Sequence, residues 1–572
     1  MDDVSQVTKS LGEVVIDASE NEDLPNPSVV LESFTDTLLK SHDPVVREAF
    51  LESTIDVLKP RGDAHDVGRL AVLKDSALTC IPAFLPLVAA HTVQASAVLD
   101  LIAENADARE VLLALNLQLE HFAEQADPYA VSDDEDSDDE DSSIDWVTAF
   151  PQVARILEMY ATAVSRLGTQ RSTPTILSIQ DTLTPLLQSI PNTAPTMMAQ
   201  TMSQSLLPRT ARLVGAAWDW SQTKSDKGGE QKAMLTELLQ MAVMIFGPCL
   251  GADLTARWFL ATYPRYAGMH PENEVGWEEG QEAFDIVLAE GLKLGLDRSE
   301  LYARVTNTSS IKPHSSIASL IMLAASIPAL KGEKEEYPSK SVIADAMPVL
   351  TVCMGGSAVD AATALTFDLV HAAQQGKIEL EYDQSTFFLE LVMPLVQVDS
   401  DPTTRLAMSK LLGSVIAATP GVKDQLNLFQ QLLEPLNPFD GIRVLAISLL
   451  RQQMSGPPQP SPLLCPQMVD QLGPILFELP PDALDKPTAH ILMSMWPAWL
   501  TESANFLYFL IERDSQNASG IKDPARLAKL RGFLAVVQDK AKKWRADTTE
   551  PDAELVLNRL EDAASRARAA AV

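Results

Sequence analysis

The strongest constraint on this chain lies in residues 401–454, where two helical runs open alike. DPTTRLAMSKLLGSVIAATP begins with Asp401-Pro402 and places Arg405 a few residues on; NPFDGIRVLAISLLRQQM begins with Asn437-Pro438 and is followed by Arg443. An Asp or Asn side chain accepts hydrogen bonds from the free amides of a first helical turn. Pro suits that turn, where its missing N–H costs nothing. In the first run Leu406, Ala407, Leu411, Leu412, Val415 and Ile416 form two adjacent apolar stripes, wider than a helix with one solvated side requires. Such a helix needs neighbours on more than one side. Asp43-Pro44, Arg47 and Ala49 match Asp401-Pro402, Arg405 and Ala407 position for position, a hint of one repeated unit.

The composition agrees with helix-on-helix packing. Hydrophobic residues make up 46% of the 572 residues and aromatics only 6%, so the core is built from Leu, Ala, Val and Ile. The best strand-like alternation, KIELEYD at 377–383, is short and sits between helical runs. We expect an all-α chain, an irregular α-solenoid of the HEAT or armadillo kind, since the polar breaks between helices recur at uneven spacing. The expected organisation is N-terminal helical repeats over 1–126, a disordered acidic loop at 127–145, and central repeats over 146–454. A Pro-rich hinge or loop follows at 455–462, then C-terminal repeats over 463–572 with a basic terminal helix.

The formal charge is −34. That balance argues against non-specific nucleic-acid binding, which rests on Lys and Arg neutralising phosphates, and against docking on anionic lipid. It favours basic protein surfaces. The N-terminus, MDDVSQVTKSLGEVV, lacks the basic-then-apolar pattern of a signal peptide. The longest apolar stretch, 315–330, is shorter than the ~20 residues of a membrane span. A monomer in the cytosol or nucleus is expected.

Two charge runs stand out. Eight of the nine residues 133–141 are acidic, and such a run repels itself and lacks apolar anchors. It reads as a solvated connection or as a regulated loop, because Ser132 and Ser137 each precede an acidic residue by three positions, as acidophilic kinases of the casein-kinase-two type prefer. Residues 522–545 carry eight Lys/Arg against two Asp. Leu527, Leu530, Leu534 and Val537 follow helical spacing there. This segment reads as a capping helix with a solvated basic side, or as a contact surface for an acidic partner, with Lys540, Lys542, Lys543 and Arg545 as candidates. Trp496 and Trp499 of MWPAW are candidate partner anchors; as core residues they would have a second explanation, as would Trp218 and Trp220.

No P-loop, HExxH, GxSxG or GxGxxG occurs, so no catalytic residue, cofactor or metal is expected. Cys80, Cys249, Cys353 and Cys465 lie far apart, outside any disulfide or zinc spacing. The apolar flanks of Cys249 and Cys353 predict buried, inert thiols. Gly355-Gly356 reads as an inter-helix turn.

The segment 437–451, NPFDGIRVLAISLLR, resembles one in the family uniting glomulin with fungal Yap-binding proteins, through Pro438, Phe439, Arg443, Ala446, Leu449 and Leu450. The stretch 108–120 is similar to another built on Asn-Pro-Arg-Glu-Val. Arg109, Glu110 and Val111 match, while Asp107 and Ala108 stand where Asn and Pro belong. The resemblance implies a non-enzymatic helical-repeat adaptor. Its fungal branch implies binding of a bZIP stress-response factor in oxidative-stress signalling. Its glomulin branch implies capping of the RING-box subunit of a cullin ubiquitin ligase. A karyopherin-like transport adaptor is the rival outside the family.

Overall fold

The structure, a computed structural model, describes residues 43–59, 73–74, 76–126, 144–226, 228–269, 276–307, 311–327, 337–398, 402–456, 461–479, 484–548 and 551–571. Asp401, Ser132, Ser137, most of the acidic loop and part of the Pro-rich segment lie outside them.

The helices, in chain order, begin with α1 (Pro44–Leu58), α2 (Ala77–Phe84), α3 (Thr92–Asn105), α4 (Ala108–Gln125), α5 (Trp146–Arg166), α6 (Thr173–Thr193), α7 (Ala199–Ser221) and α8 (Gly229–Phe246). Next come α9 (Leu254–Thr262), α10 (Trp277–Lys293), α11 (Arg298–Thr306), α12 (Pro313–Ala325), α13 (Val342–Val352), α14 (Val359–Gln374), α15 (Tyr382–Val398) and α16 (Pro402–Ala418). The chain ends with α17 (Val422–Leu433), α18 (Asp440–Ser455), α19 (Pro466–Phe477), α20 (Thr488–Leu492), α21 (Trp496–Arg513), α22 (Pro524–Ala546) and α23 (Pro551–Ala570). Among the described residues there is no strand; residues 377–381 are irregular and lead into α15.

Several starts follow the expected chemistry. The Asp43 carboxylate accepts from the Val45 amide at 3.0 Å, and Asp107 accepts from Arg109 at 2.8 Å and Glu110 at 3.4 Å. Asp145 and Asp297 cap α5 and α11 in the same way. Asn437 is a correction: it does not cap α18. Its Oδ1 accepts from the Phe439 amide at 2.9 Å within the turn, and the helix begins only at Asp440. Gly356, at φ +142°, lies in a left-handed region closed to most side chains and breaks the helical run after Val352.

The chain divides into two compact units, one of residues 1–253, 272–327 and 357–362, the other of 254–271, 328–356 and 363–572. In the first, helices pack on their neighbours and on the helix two places along. One layer runs α1, α3, α5, α7, α10 and a second runs α2, α4, α6, α8, α12. The second unit repeats the scheme, with α13, α15, α17 and α19 in one layer and α16, α18, α21 and α23 in the other. Each unit thus has the stacked two-layer arrangement of an α-solenoid. The expected divisions at 127–145 and 455–462 each fall inside a unit, and helices from either side pack together: α4 on α5, and α18 on α21.

The broad apolar face of α16 has its explanation here. Ala407, Met408, Leu411, Leu412, Val415 and Ile416 are buried between α15, α17 and α18, each large side chain contributing about 1.5–3 kcal/mol; Leu406 is half-buried. The basic helix α22 is not terminal, as the sequence suggested. α23 follows it and packs on both α21 and α22. Among the described residues no single helix is long and apolar enough to cross a membrane.

Candidate functional site

In the second unit, the turn before α18, the start of α21 and the short α20 surround a cleft of 220 Å³. It is lined by Asp440, Arg443, Val444, Lys486, His490, Ser494, Met495, Trp496 and Trp499. Local chemistry builds it. Asn437 closes the turn by donating to the Leu432 carbonyl at 3.1 Å and accepting from Phe439. That turn starts α18 so that Arg443 reaches the C-terminal end of α17, where its Nε donates to the Leu433 carbonyl at 3.3 Å. A cation suits the negative end of a helix. Its Nη1 pairs with Asp440 at 3.3 Å.

The guanidinium carbon of Arg443 sits 4.8 Å from the centre of the Trp499 ring, within cation–π range. Trp499 is 5% exposed. Pro497 lies in the first turn of α21, and Ser494 Oγ accepts from the Trp496 amide at 3.3 Å, so both tryptophans are held at the helix start. Trp496 is half-buried. The lining is mixed, with Asp440, Arg443, Lys486, His490 and Ser494 beside Val444, Met495 and the tryptophans. Met495 is 40% exposed; in the turns nearby in the chain, Met493 before α21 and Leu436 before α18 are 88% and 90% exposed.

The loop before α20 connects this cleft to the basic end of α22. Lys540 Nζ donates to Asp485 at 2.6 Å and to the Leu484 carbonyl at 3.2 Å, and Thr488 donates to Asp547 at 2.8 Å. The bonded Lys540 ammonium, with Lys543 adding to the field, holds the Asp485 carboxyl below its ordinary range. Lys486 stands next to Asp485, exposed.

The sequence candidates therefore divide. Trp496 lines the cleft, while Trp499 forms its buried wall. Lys540 and Arg545 are engaged within the fold, Arg545 with Glu561 at 2.8 Å and Asn558 at 3.1 Å. Lys542 and Lys543 are exposed and form no ion pair among the described residues. Two more cations of the run are also internal ties: Arg526 pairs with Asp470 at 2.6 Å, and Arg531 donates to the Ala571 carbonyl at 2.8 Å. Leu530, Leu534 and Val537 are buried as spaced, and Leu527 is half-buried.

Sequence reasoning missed Lys486 and His490 as cleft residues; ALDKPTAH carries no periodic signal that would have found them. Arg443 was visible in the repeat pattern, but its contact with Trp499 was not. Trp220 proves to be a core residue, 4% exposed, with Nε1 donating to the Leu167 carbonyl at 3.1 Å. Cys353 is buried, but Cys249 is exposed, a correction: the short turn Gly247–Cys249 ends the apolar run of α8 and leaves the thiol outside the core.

No family model matches the chain, and no curated protein matches it. The resemblance drawn from 108–120 and 437–451 thus has no family model behind it. Among solved structures, one described as a "circular tandem repeat protein with novel repeat topology and enhanced subunit contact surfaces" is similar over 99% of this chain and 96% of that one. The identity is 11% and the TM-score 0.22, too slight a likeness to bear on fold or function.

Proposed function

We propose that this chain is a non-enzymatic helical-repeat adaptor and that a protein partner docks in the Trp496–Arg443 cleft. One observation carries the reading: Trp496 and the exposed Met495 line a cleft whose wall, Trp499, is fixed by Arg443. A rigid aromatic with open apolar neighbours is the usual make-up of an interaction hot spot. The resemblance supports a bZIP stress-response factor as that partner, in oxidative-stress signalling in the cytoplasm or nucleus. The second reading, the RING-box subunit of a cullin ligase, is favoured by the position of the cleft in the C-terminal part of the chain, the part glomulin is known to use.

The test is affinity purification of the tagged chain from its own cells, with and without peroxide, beside the Trp496→Ala variant. A bZIP factor enriched after peroxide supports the first reading, and a cullin with its RING-box subunit the second. Either should be lost with Trp496→Ala. The same partners at the same yield from that variant would remove the cleft from the account.

A further inference from the structure

We infer that the cleft takes an acidic segment of the partner, with one apolar side chain seated against Trp496. This rests on the docking reading above and adds the chemistry of what docks. The whole chain carries −34, yet at the cleft and the loop beside it Arg443, Lys486, Lys540 and Lys543 outnumber Asp440, Asp485 and Asp547. Of those carboxylates, Asp440 is paired with Arg443 at 3.3 Å and Asp485 with Lys540 at 2.6 Å, while Asp547 accepts from the neutral Thr488 hydroxyl at 2.8 Å; farther along, Glu561 is paired with Arg545 at 2.8 Å. Lys486, Lys542 and Lys543 form no such pair among the described residues and are exposed; Asp539 on α22, Glu434 before α18, and Asp552 and Glu554 in the first turn of α23 are the neighbouring carboxylates outside ion pairs.

Range decides which charge an incoming peptide meets. At physiological salt the field of an exposed charge falls off within about 8 Å, so a docked segment responds to these lysines more than to the distant acidic surface. Arg443 is committed through Nε and Nη1; its planar face is spent on Trp499. Trp496 and Met495, with Val444, offer the apolar seat. A segment of Asp and Glu flanking one Phe, Leu or Met matches both halves. A uniformly basic segment, such as a DNA-contacting helix, does not. If the partner is a transcription factor, its docking element here is an acidic region.

The test uses the full chain and three fluorescein-labelled 12-residue peptides: one rich in Asp/Glu with a single central Phe, the same with Ser for Phe, and one with Lys for every acid. Fluorescence anisotropy should show binding of the first alone. Its Kd should weaken about tenfold in the exposed double variant Lys486→Glu/Lys543→Glu and again in Trp496→Ala. Raising salt should weaken it as well. Binding of the lysine peptide as tightly as the acidic one overturns the inference, as does an unchanged Kd in the double reversal. Self-association that the double reversal abolishes, without peptide binding, would assign the cleft to a second copy and also overturn it. If the acidic peptide fails but Trp496→Ala still loses the cellular partner, docking stands and the acidic class falls. If that variant loses neither, both fall.

Discussion

The guanidinium of Arg443 lies 4.8 Å from the ring centre of Trp499, joining the start of α18 to the start of α21. That contact gives the two tryptophans of MWPAW different jobs. Trp499, 5% exposed, is part of the core, and Trp499→Ala should destabilise by about 3 kcal/mol or more. Trp496 is half-buried at the cleft, and Trp496→Ala should cost under about 1 kcal/mol while abolishing partner capture. Urea denaturation of both variants reads the difference. Equal losses of stability would mean that Trp496 is structural after all.

Arg443 itself should resist conservative exchange. Arg443→Lys keeps the charge but loses the planar face over Trp499 and the fork that reaches both Leu433 and Asp440. We expect Arg443→Lys and Arg443→Ala to fall within about 1 kcal/mol of each other, each about 1–2 kcal/mol below the parent. Full stability in the lysine variant would show that charge alone holds the contact.

A close approach between helix and chain tests the packing of the first unit. A Cβ on Gly280 of α10 would lie 2.6 Å from the Leu250 carbonyl oxygen and 3.0 Å from the Ala252 amide nitrogen. Both are backbone atoms, which a rotamer change cannot move. Gly280→Ala should therefore cost about 1–3 kcal/mol, as overpacking does, although alanine is the better helix former. A thermal melt no lower than the parent's would refute that approach.

What the sequence revealed and what it hid have physical causes. Helix positions were legible because Asp43, Asp107 and the Ala407–Ile416 stripes act locally, through caps and 3.6-residue spacing. The two-layer stacking depends on which helices meet across loops of uneven length, and local spacing is silent on that. The cleft shows the same split. Trp496 and the lysines of α22 were found separately, about 45 residues apart. Their connection runs through Asp485 and Lys540, two surface residues with no pattern around them. Cys249 misled because FGPCLG looks like core, whereas its turn ends the apolar helix.

Acid should loosen the loop before α8. Asp226 accepts from the Thr173 and Ser172 amides at 2.9 and 2.8 Å and from both hydroxyls at 2.9 Å. The Thr173 amide foremost, with Ser172 and the hydroxyls, holds its carboxyl well below the usual range against an opposing effect of burial. The folded value is depressed, so the stabilisation is complete above the unfolded carboxylate value of about 3.9 and is lost as pH falls through the folded one. Asp226→Asn removes that dependence. The melting temperatures of parent and variant should run parallel down to about pH 4 and converge below it; curves that stay parallel in that acid range would exclude Asp226 as a contributor.

The last helix should be indispensable to the second unit. Leu557, Leu560, Ala563, Ala564 and Ala567 of α23 are buried against α21 and α22. Further ties are Arg545 with Glu561 and Gln538 Nε2 with Ser565 at 3.1 Å. Ending the chain at residue 550 would expose the faces of α21 and α22 that these side chains cover, α21 being the helix that carries Trp496 and Trp499. We expect a lower melting temperature, thermolysin cleavage within α21 or α22, and loss of cleft binding together. The exposed-charge variant Lys542→Glu should leave the melt within about 0.5 kcal/mol of the parent. A truncated chain that melts like the full one would mean that the layer of α16, α18 and α21 is stable without α23.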